Sequence, residues 1–219
     1  MCPHYNTNIR IGQRLIDIGL VERGLSIAHC GEPMRLQGRW SKRMCRDRLC
    51  PTCGPWTIKR QKIPSNVAVA LATTTVRNVP WDMLSSAISE IQNAWRRMSS
   101  SLAAVAGRAG GGGGGYFWLK VLHISKGRNG LAHPHLHILL EDGQLSDVDE
   151  LSKLWQRSRN SDKAEVCDLR HDVDGPRVLG YLARSMWVED LSDSELYSFL
   201  CAIKNVRTIS HNGPKKSKY

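Results

Sequence analysis

Two hydrophobic rhythms run along this chain. Leu84, Ile88, Ile91, Trp95, Met98, Leu102 and Val105 recur at alternating steps of four and three. That spacing predicts a long amphipathic helix, opened by Asn78 and Pro80, buried along the stripe and wet at Arg96 and Arg97. Residues 9–24 carry a shorter helical rhythm through Ile11, Leu15, Ile18 and Val21. The second rhythm belongs to strands. VAVALATTTV (67–76) is apolar and β-branched, which suits a central strand. YFWLKVLHIS (116–125) and HLHILLE (135–141) lie on either side of KGRNG, which predicts a hairpin.

Downstream, a helix from Ser146 carries Val148, Leu151, Leu154 and Trp155, AEVCDL (164–169) reads as a short strand, and two helices near 176–188 and 193–205 follow. The order β-α-β-β-α-β-α-α, with a hairpin in its middle, predicts an α+β fold built on an antiparallel sheet flanked by helices. Six glycines at 110–115 can hold neither a helix nor a strand and read as a loop tip; no Lys-Ser/Thr follows them, so they do not make a phosphate-cradling loop. Residues 30–62 are rich in Cys, Arg and Lys and show little periodicity. The expected division is therefore an N-terminal helix and basic Cys-rich module over 1–62, and a sheet domain over 63–219.

Charge narrows the partners. A net charge of +11 in 219 residues points to a polyanion, nucleic acid above all, while 41% hydrophobic residues suits a globular chain. No run approaches the roughly 18 apolar residues of a membrane span. The polar, charged start MCPHYNTNIRIGQRLIDIG does not read as a signal peptide. A cytoplasmic, reducing setting is the expectation, and there the seven cysteines read as metal ligands or buried apolar residues rather than disulfides.

Cys45, Cys50 and Cys53 stand in MCRDRLCPTC, fifteen residues after Cys30. The C-P-T-C element suits a zinc knuckle, with Cys30 and Cys45 completing four ligands and His29, Cys2 and His4 as possible substitutes; disulfides are the alternative. Structural Zn2+ makes sense in a segment too poor in apolar residues to fold unaided. Its cations, among them Arg43, Arg46, Arg48, Lys59 and Arg60, are candidate DNA-phosphate contacts.

AHPHLHILLE (132–141) places His133, His135 and His137 on one face of a strand, with Pro134, Leu136 and Ile138 on the other. Imidazoles so arranged can converge on an ion, and His123 can approach from the hairpin partner; a solvated edge strand with incidental histidines is the other reading. Imidazole donors suit Mn, Co, Ni or Zn better than Mg, although phosphate and water oxygens can make Mg workable.

The succession RMCRDRLCPTC, LATTTVRN, HPHLHILL and a helix with Tyr-x-x-basic resembles the rolling-circle plasmid replication initiators of the HUH endonuclease superfamily, over roughly residues 30–213. The resemblance implies the HUH fold, with LATTTV as a central strand. It implies an enzyme that binds plasmid origin DNA, single-stranded or hairpin at the nick site, and cuts one strand with Mg2+ or Mn2+. The 5′ phosphate is kept on a tyrosine, and a 3′ hydroxyl is left for the host polymerase, with a host helicase as a further partner. His135 and His137 are then the metal ligands, His123 the third ligand where the family usually has an acid, and Tyr181 the nucleophile. Ionising a phenol at pH 7 costs about 4 kcal/mol, and Arg184, one turn on and in place of the family's lysine, is placed to offset it. The acid that some members carry one turn before the tyrosine is here Arg177, which leaves Asp172, Asp174 and Glu189 as candidates for activating water. Among the other tyrosines, Tyr5, Tyr116, Tyr197 and Tyr219, Tyr197 lies near Phe199 and Leu200 and reads as core. Two rivals stand beside this reading: an HUH relaxase or transposase, and a zinc-stabilised DNA-binding protein without catalysis.

Overall fold

A computed structural model describes residues 5–37, 39–47, 49–59, 63, 68–108, 119–161, 166–183 and 188–211. Expectations that fall on Cys2, His4, Arg48, Arg60, Tyr116, Arg184, Tyr219 and the glycine run 110–115 lie outside these residues. So do those on the side chains of Tyr5, Lys59 and Val105. The chain forms two compact units. One comprises residues 1–62 and 179–197, the other 63–178 and 198–219. Among the described residues no helix is long and apolar enough to cross a membrane.

The first unit opens with α1 (Tyr5–Asp17) and α2 (Val21–Ala28). The rhythm over 9–24 predicted one helix, but the chain breaks at Gly19, whose φ of 87° takes the left-handed conformation open to glycine. The Leu20 amide donates to the Leu15 carbonyl and the Gly19 amide to that of Ile16, the paired bonds of a Schellman stop. The break resets the helical phase: Ile11 and Leu15 are buried, whereas Val21, expected on the same stripe, is exposed. The two helices approach through glycines. A Cβ on Gly24 would lie 2.5 Å from the Gly12 carbonyl oxygen, and one on Gly12 would lie 2.6 Å from the Gly24 carbonyl oxygen. A two-stranded ribbon, β1 (Pro33–Leu36) and β2 (Arg39–Lys42), and a short helix α3 (Cys53–Lys59) follow, neither of them signalled by periodicity. Residues 188–193 are tied to α1 by one guanidinium: Arg14 donates to the carbonyls of Val188, Glu189 and Leu191 and pairs with Asp193 at 3.0 Å.

The second unit is a five-stranded sheet with helices. Its strands are β3 (Val69–Thr75), β4 (Leu119–Lys126), β5 (Ala132–Glu141), β6 (Cys167–Arg170) and β7 (Ile209–His211). They lie in the order β6-β3-β5-β4-β7, with every pair antiparallel. The β4–β5 hairpin turns over residues 127–131, as the KGRNG segment predicted. A 3-10 turn (Trp81–Met83) leads into α4 (Leu84–Arg108), which buries Leu84, Ile88, Ile91, Trp95, Met98 and Leu102, the predicted stripe. Lys120 shows which sheet face α4 covers. Its ammonium donates to Gln92 at 3.0 Å and lies 5.8 Å from the Trp95 ring, so α4 packs on the face of Lys120, Leu122, Leu136 and Ile138. Each of these aliphatic side chains contributes roughly 1.5–3 kcal/mol by leaving water. Helix α5 (Val148–Arg159) starts two residues later than the expected Ser146. Asp147 is its cap, accepting from the Glu150 amide at 2.8 Å, while Glu150 reaches back to the Ser146 amide. Buried Trp155 of α5 donates to the Thr75 carbonyl at 2.8 Å.

Helix α6 (Gly175–Leu182) is shorter than the expected 176–188, since Ala183 leaves the helix and Val188 is not helical. Helix α7 (Asp193–Ile203) falls where the pattern put it, while β7 was not expected. The fold is thus α+β with helices flanking an antiparallel sheet.

Candidate metal centres

The histidine cluster follows from register. In β5, His135 lies opposite His123 of β4 and Thr75 of β3, while His137 lies opposite Val121 and Thr73. Alternation therefore puts the three imidazoles and Thr73 on one face, away from the face of Lys120 and Leu136. Ring centroids are 4.8 Å apart for His135–His137 and for His123–His137, and 5.7 Å for His123–His135. One ring nitrogen from each of His123, His135 and His137 lies within 4.8 Å of the others, a spacing from which the three can hold one metal ion.

The rings are oriented from behind. Thr73 Oγ1 is 3.0 Å from His137 Nδ1, and the His133 carbonyl is 3.2 Å from His135 Nδ1. With Nδ1 so engaged, Nε2 is the nitrogen that each ring has for an ion, the second layer of contacts that metal-binding histidines use. His133 stands outside the cluster, with its Nδ1 2.6 Å from Asn78 Oδ1. His137 is 3% exposed. Burial, joined by the neighbouring imidazoles and Arg170, pushes its pKa down to about 2, and burial and the adjacent histidines bring His135 to about 4. Both rings are therefore neutral near pH 7 and keep lone pairs for a cation. On the same face Asp168 of β6 lies opposite Thr73, and Arg170 pairs with Asp168 at 2.8 Å. Sequence reading missed Thr73, Asn78 and Asp168 as neighbours of the histidines; the register of β3 on β5 and β6 was the missing information.

The second cluster belongs to the N-terminal unit. Cys30, Cys45, Cys50 and Cys53 bring their sulfurs within 4.8 Å of one another, and all four are free thiols. The Cys30 and Cys53 sulfurs are 3.4 Å apart, far beyond a disulfide bond and suited to two ligands of one ion. Backbone amides point at the sulfurs: Arg46 N–H at Cys53 (3.2 Å), Asp47 N–H at Cys45 (3.4 Å) and Cys53 N–H at Cys50 (3.4 Å). Arg46 takes a φ of 57° in making that turn. The hydrogen bond from Cys45 holds the Cys50 thiol down to about 5, while the same bond and burial push Cys45 up, and burial pushes Cys30 up to about 12. Three buried thiols and a half-buried one, with their sulfurs this close, cannot all ionise without a cation among them, so the donor set fits a divalent soft or borderline metal. Asn8 on α1, fully buried, joins this knuckle to the helices. Its amide donates to the Cys30 carbonyl at 3.0 Å and to Thr52 Oγ1 at 3.2 Å, and its oxygen faces Cys50 Sγ at 3.6 Å.

Of the other residues singled out by sequence, Arg43 and Arg46 are exposed beside the knuckle. Tyr181 lies on α6, 42% exposed, in the unit that holds the cysteines. Tyr197 does not belong to a core: it is 56% exposed, because α7 buries Leu196, Phe199, Leu200 and Ile203 and position 197 falls off that stripe. Both tyrosines are therefore accessible. Comparison with protein-family models, curated proteins and solved structures gives no significant match to the chain.

Proposed function

We propose that the protein is a metal-dependent DNA nickase that initiates rolling-circle replication of a plasmid, cutting single-stranded origin DNA by transesterification onto a tyrosine. The observation that carries this reading is the convergence of His123, His135 and His137 on the neighbouring inner strands β4 and β5 of an antiparallel sheet, in a chain of net charge +11. Three imidazoles gathered on one sheet face, His137 buried and His123 and His135 half-buried, present a donor set suited to a divalent cation, so the cluster reads as a site rather than as packing. Its donors favour Mn2+ among the expected ions, with Mg2+ workable where phosphate and water oxygens complete the shell. When bound, a divalent ion supplies Lewis-acid stabilisation of charge on the scissile phosphate.

The chain's own residues do the remainder. His123, His135 and His137 hold the ion, and Thr73 and the His133 carbonyl keep the rings of His137 and His135 in line. Tyr181 gives up its phenolic proton and its oxygen attacks phosphorus. As that P–O bond forms, the bond to the 3′ oxygen breaks, and the 3′ oxygen takes up a proton as a hydroxyl. One phosphodiester replaces another, so the bond energy is kept for rejoining and no ATP is needed. Cys30, Cys45, Cys50 and Cys53 hold a structural Zn2+, and the exposed Arg43 and Arg46 take DNA phosphates. An HUH relaxase or transposase would share the chemistry; the occurrence of a cysteine knuckle and a histidine strand in one chain favours the plasmid initiator.

The test is nicking of a supercoiled plasmid carrying the DNA that flanks this gene, with Mn2+ or Mg2+. Wild type is expected to give an open circle with protein joined to its 5′ end, and His135→Ala with His137→Ala to give none. Tyr181→Phe should abolish the adduct, whereas Tyr197→Phe should leave it. An adduct formed by Tyr181→Phe moves the nucleophile elsewhere. Binding without nicking under either metal replaces this reading by the non-catalytic one.

A further inference from the structure

The ribbon β1–β2 has no place in the reaction above, yet its side chains are unusual for a surface. Its register sets Arg35 opposite Trp40 and Pro33 opposite Lys42. Cross-strand partners share a face, and so do positions two apart on one strand. Arg35, Trp40 and Lys42 therefore stand on one side of the ribbon, and all three are exposed. Trp40 is 74% exposed, a large apolar surface left in water by a residue type that is on average highly buried. Residues 33–43, PMRLQGRWSKR, hold four cations and no acid, so nothing within the ribbon neutralises Arg35, Arg39, Lys42 and Arg43.

A two-stranded ribbon is marginal in water by itself, and this one is fixed at its root. The Gly31 amide donates to the Arg43 carbonyl at 2.7 Å and the Arg43 amide to that of Glu32 at 2.9 Å, which extends the ladder toward the knuckle. Cys30 precedes β1 by three residues and Cys45 follows β2 by three, so two ligands of the cysteine cluster bracket the ribbon. The root holds it in one shape while its outer face stays bare. An indole plane between cations matches a nucleic-acid strand whose bases are unpaired, because stacking needs an open base face and the phosphates on either side need positive charge. A duplex offers the phosphates but hides the base faces.

We propose that the β1–β2 ribbon is a platform for single-stranded DNA, on which an unpaired base stacks on Trp40 and the flanking phosphates are held by Arg35 and Lys42. The platform needs neither the histidine cluster nor cleavage. A nickase would use it to hold the strand melted at the origin, but the binding stands without that reaction.

The experiment uses the full-length zinc-loaded chain, without added Mn2+ or Mg2+, and fluorescence anisotropy with a labelled single-stranded oligonucleotide of mixed sequence and with its duplex. Trp40→Ala is expected to weaken single-strand binding by about tenfold or more, within the range of one lost base stack, and to leave duplex binding within about twofold. Trp40→Phe should restore most of the affinity, since it keeps an aromatic plane. Arg35→Gln should make the salt dependence shallower by about 0.7 in log–log slope, the value for one phosphate contact on a single strand, whereas Trp40→Ala should leave the slope unchanged. Zinc content and circular dichroism report whether each variant keeps its fold, and an exposed position is expected to do so. Wild-type affinity in Trp40→Ala overturns the proposal, as does equal loss on single strand and duplex, or failure of Trp40→Phe to restore binding. A chain that binds through Trp40 but never nicks plasmid keeps this proposal and removes the nickase reading; a chain that nicks with Trp40→Ala binding unchanged does the reverse.

Discussion

Replacing Thr73 by valine tests the histidine centre without reference to any reaction. The Thr73 hydroxyl faces His137 Nδ1 at 3.0 Å from the adjacent strand. For Nε2 of His137 to keep a lone pair, Nδ1 must carry the proton and donate it to Oγ1. Valine has nearly the same shape and the same preference for strands, so the change removes the acceptor and little else. A buried Nδ1–H without an acceptor favours the tautomer with its proton on Nε2, the wrong one for a metal. Loss of such an outer contact weakens metal binding about 10- to 100-fold, or roughly 1.4–2.7 kcal/mol. The cost to folding is that of one hydrogen bond, about 0.5–1.5 kcal/mol. The assay is calorimetric titration with Mn2+, beside urea unfolding of the metal-free chain. Thr73→Val is expected to raise Kd by one to two decades with a small shift in urea midpoint, and Thr73→Ser to stay within a few-fold of wild type. His137→Ala, which removes a ligand outright, should be weaker than either. Wild-type Mn2+ affinity in Thr73→Val, with His137→Ala impaired, would refute the tautomer argument. Equal affinity in all of them would refute the site.

Three further outcomes follow from the same geometry. The chain should carry one zinc at the cysteine cluster, and its removal, or Cys50→Ser, should expose residues 1–62 to protease, since structural zinc contributes about 10–16 kcal/mol where other local contacts contribute one to three; unchanged protease resistance in zinc-free protein would rule this out. The metal-free chain should lose stability as the pH falls from about 6.5 toward 4. His135 and His137 have folded pKa values of about 4 and about 2, below the ordinary 6.5, so the unfolded state binds more protons across that window and gains on the native state. Urea midpoints measured from pH 7.5 to 4.5 check the sign, and His135→Ala with His137→Ala should flatten the curve. Gly24→Ala should destabilise the first unit despite the roughly 1 kcal/mol that alanine gains in a helix. Its Cβ would meet the Gly12 carbonyl oxygen at 2.5 Å, backbone that cannot rotate aside, and overpacking costs about 1–3 kcal/mol; a raised unfolding midpoint would contradict it.

What the sequence disclosed depended on whether a feature is local. The period of two in AHPHLHILLE and the long stripe of α4 are visible in single segments, and both reappear in the structure. The approach of His123 was readable because a five-residue turn leaves a hairpin little choice of register. Thr73 could not be assigned in the same way, because β3 and β5 are joined through a long helix and their register is decided by packing. The stop at Gly19 lay within an apolar rhythm that continued in composition while its phase changed. Tyr197 looked like core beside Phe199 and Leu200, but on a helix the next residue points about 100° away. Among the described side chains of the ribbon β1–β2 only Met34 is half-buried and the rest are exposed, so burial, which is what imprints alternation on a strand, left little pattern there.

The guanidinium of Arg14 has a consequence for how this protein can be divided. Its four partners lie between Val188 and Asp193, more than 170 positions away along the chain, so the cysteine-bearing unit is discontinuous. A fragment ending at residue 62 retains every cysteine of the knuckle but strands a half-buried cation from the carbonyls that receive it. Modularity here is a property of space rather than of sequence. A minimal version of that unit has to be spliced, with residues 179–197 joined to the N-terminal segment, and only such a splice can ask whether the knuckle folds alone.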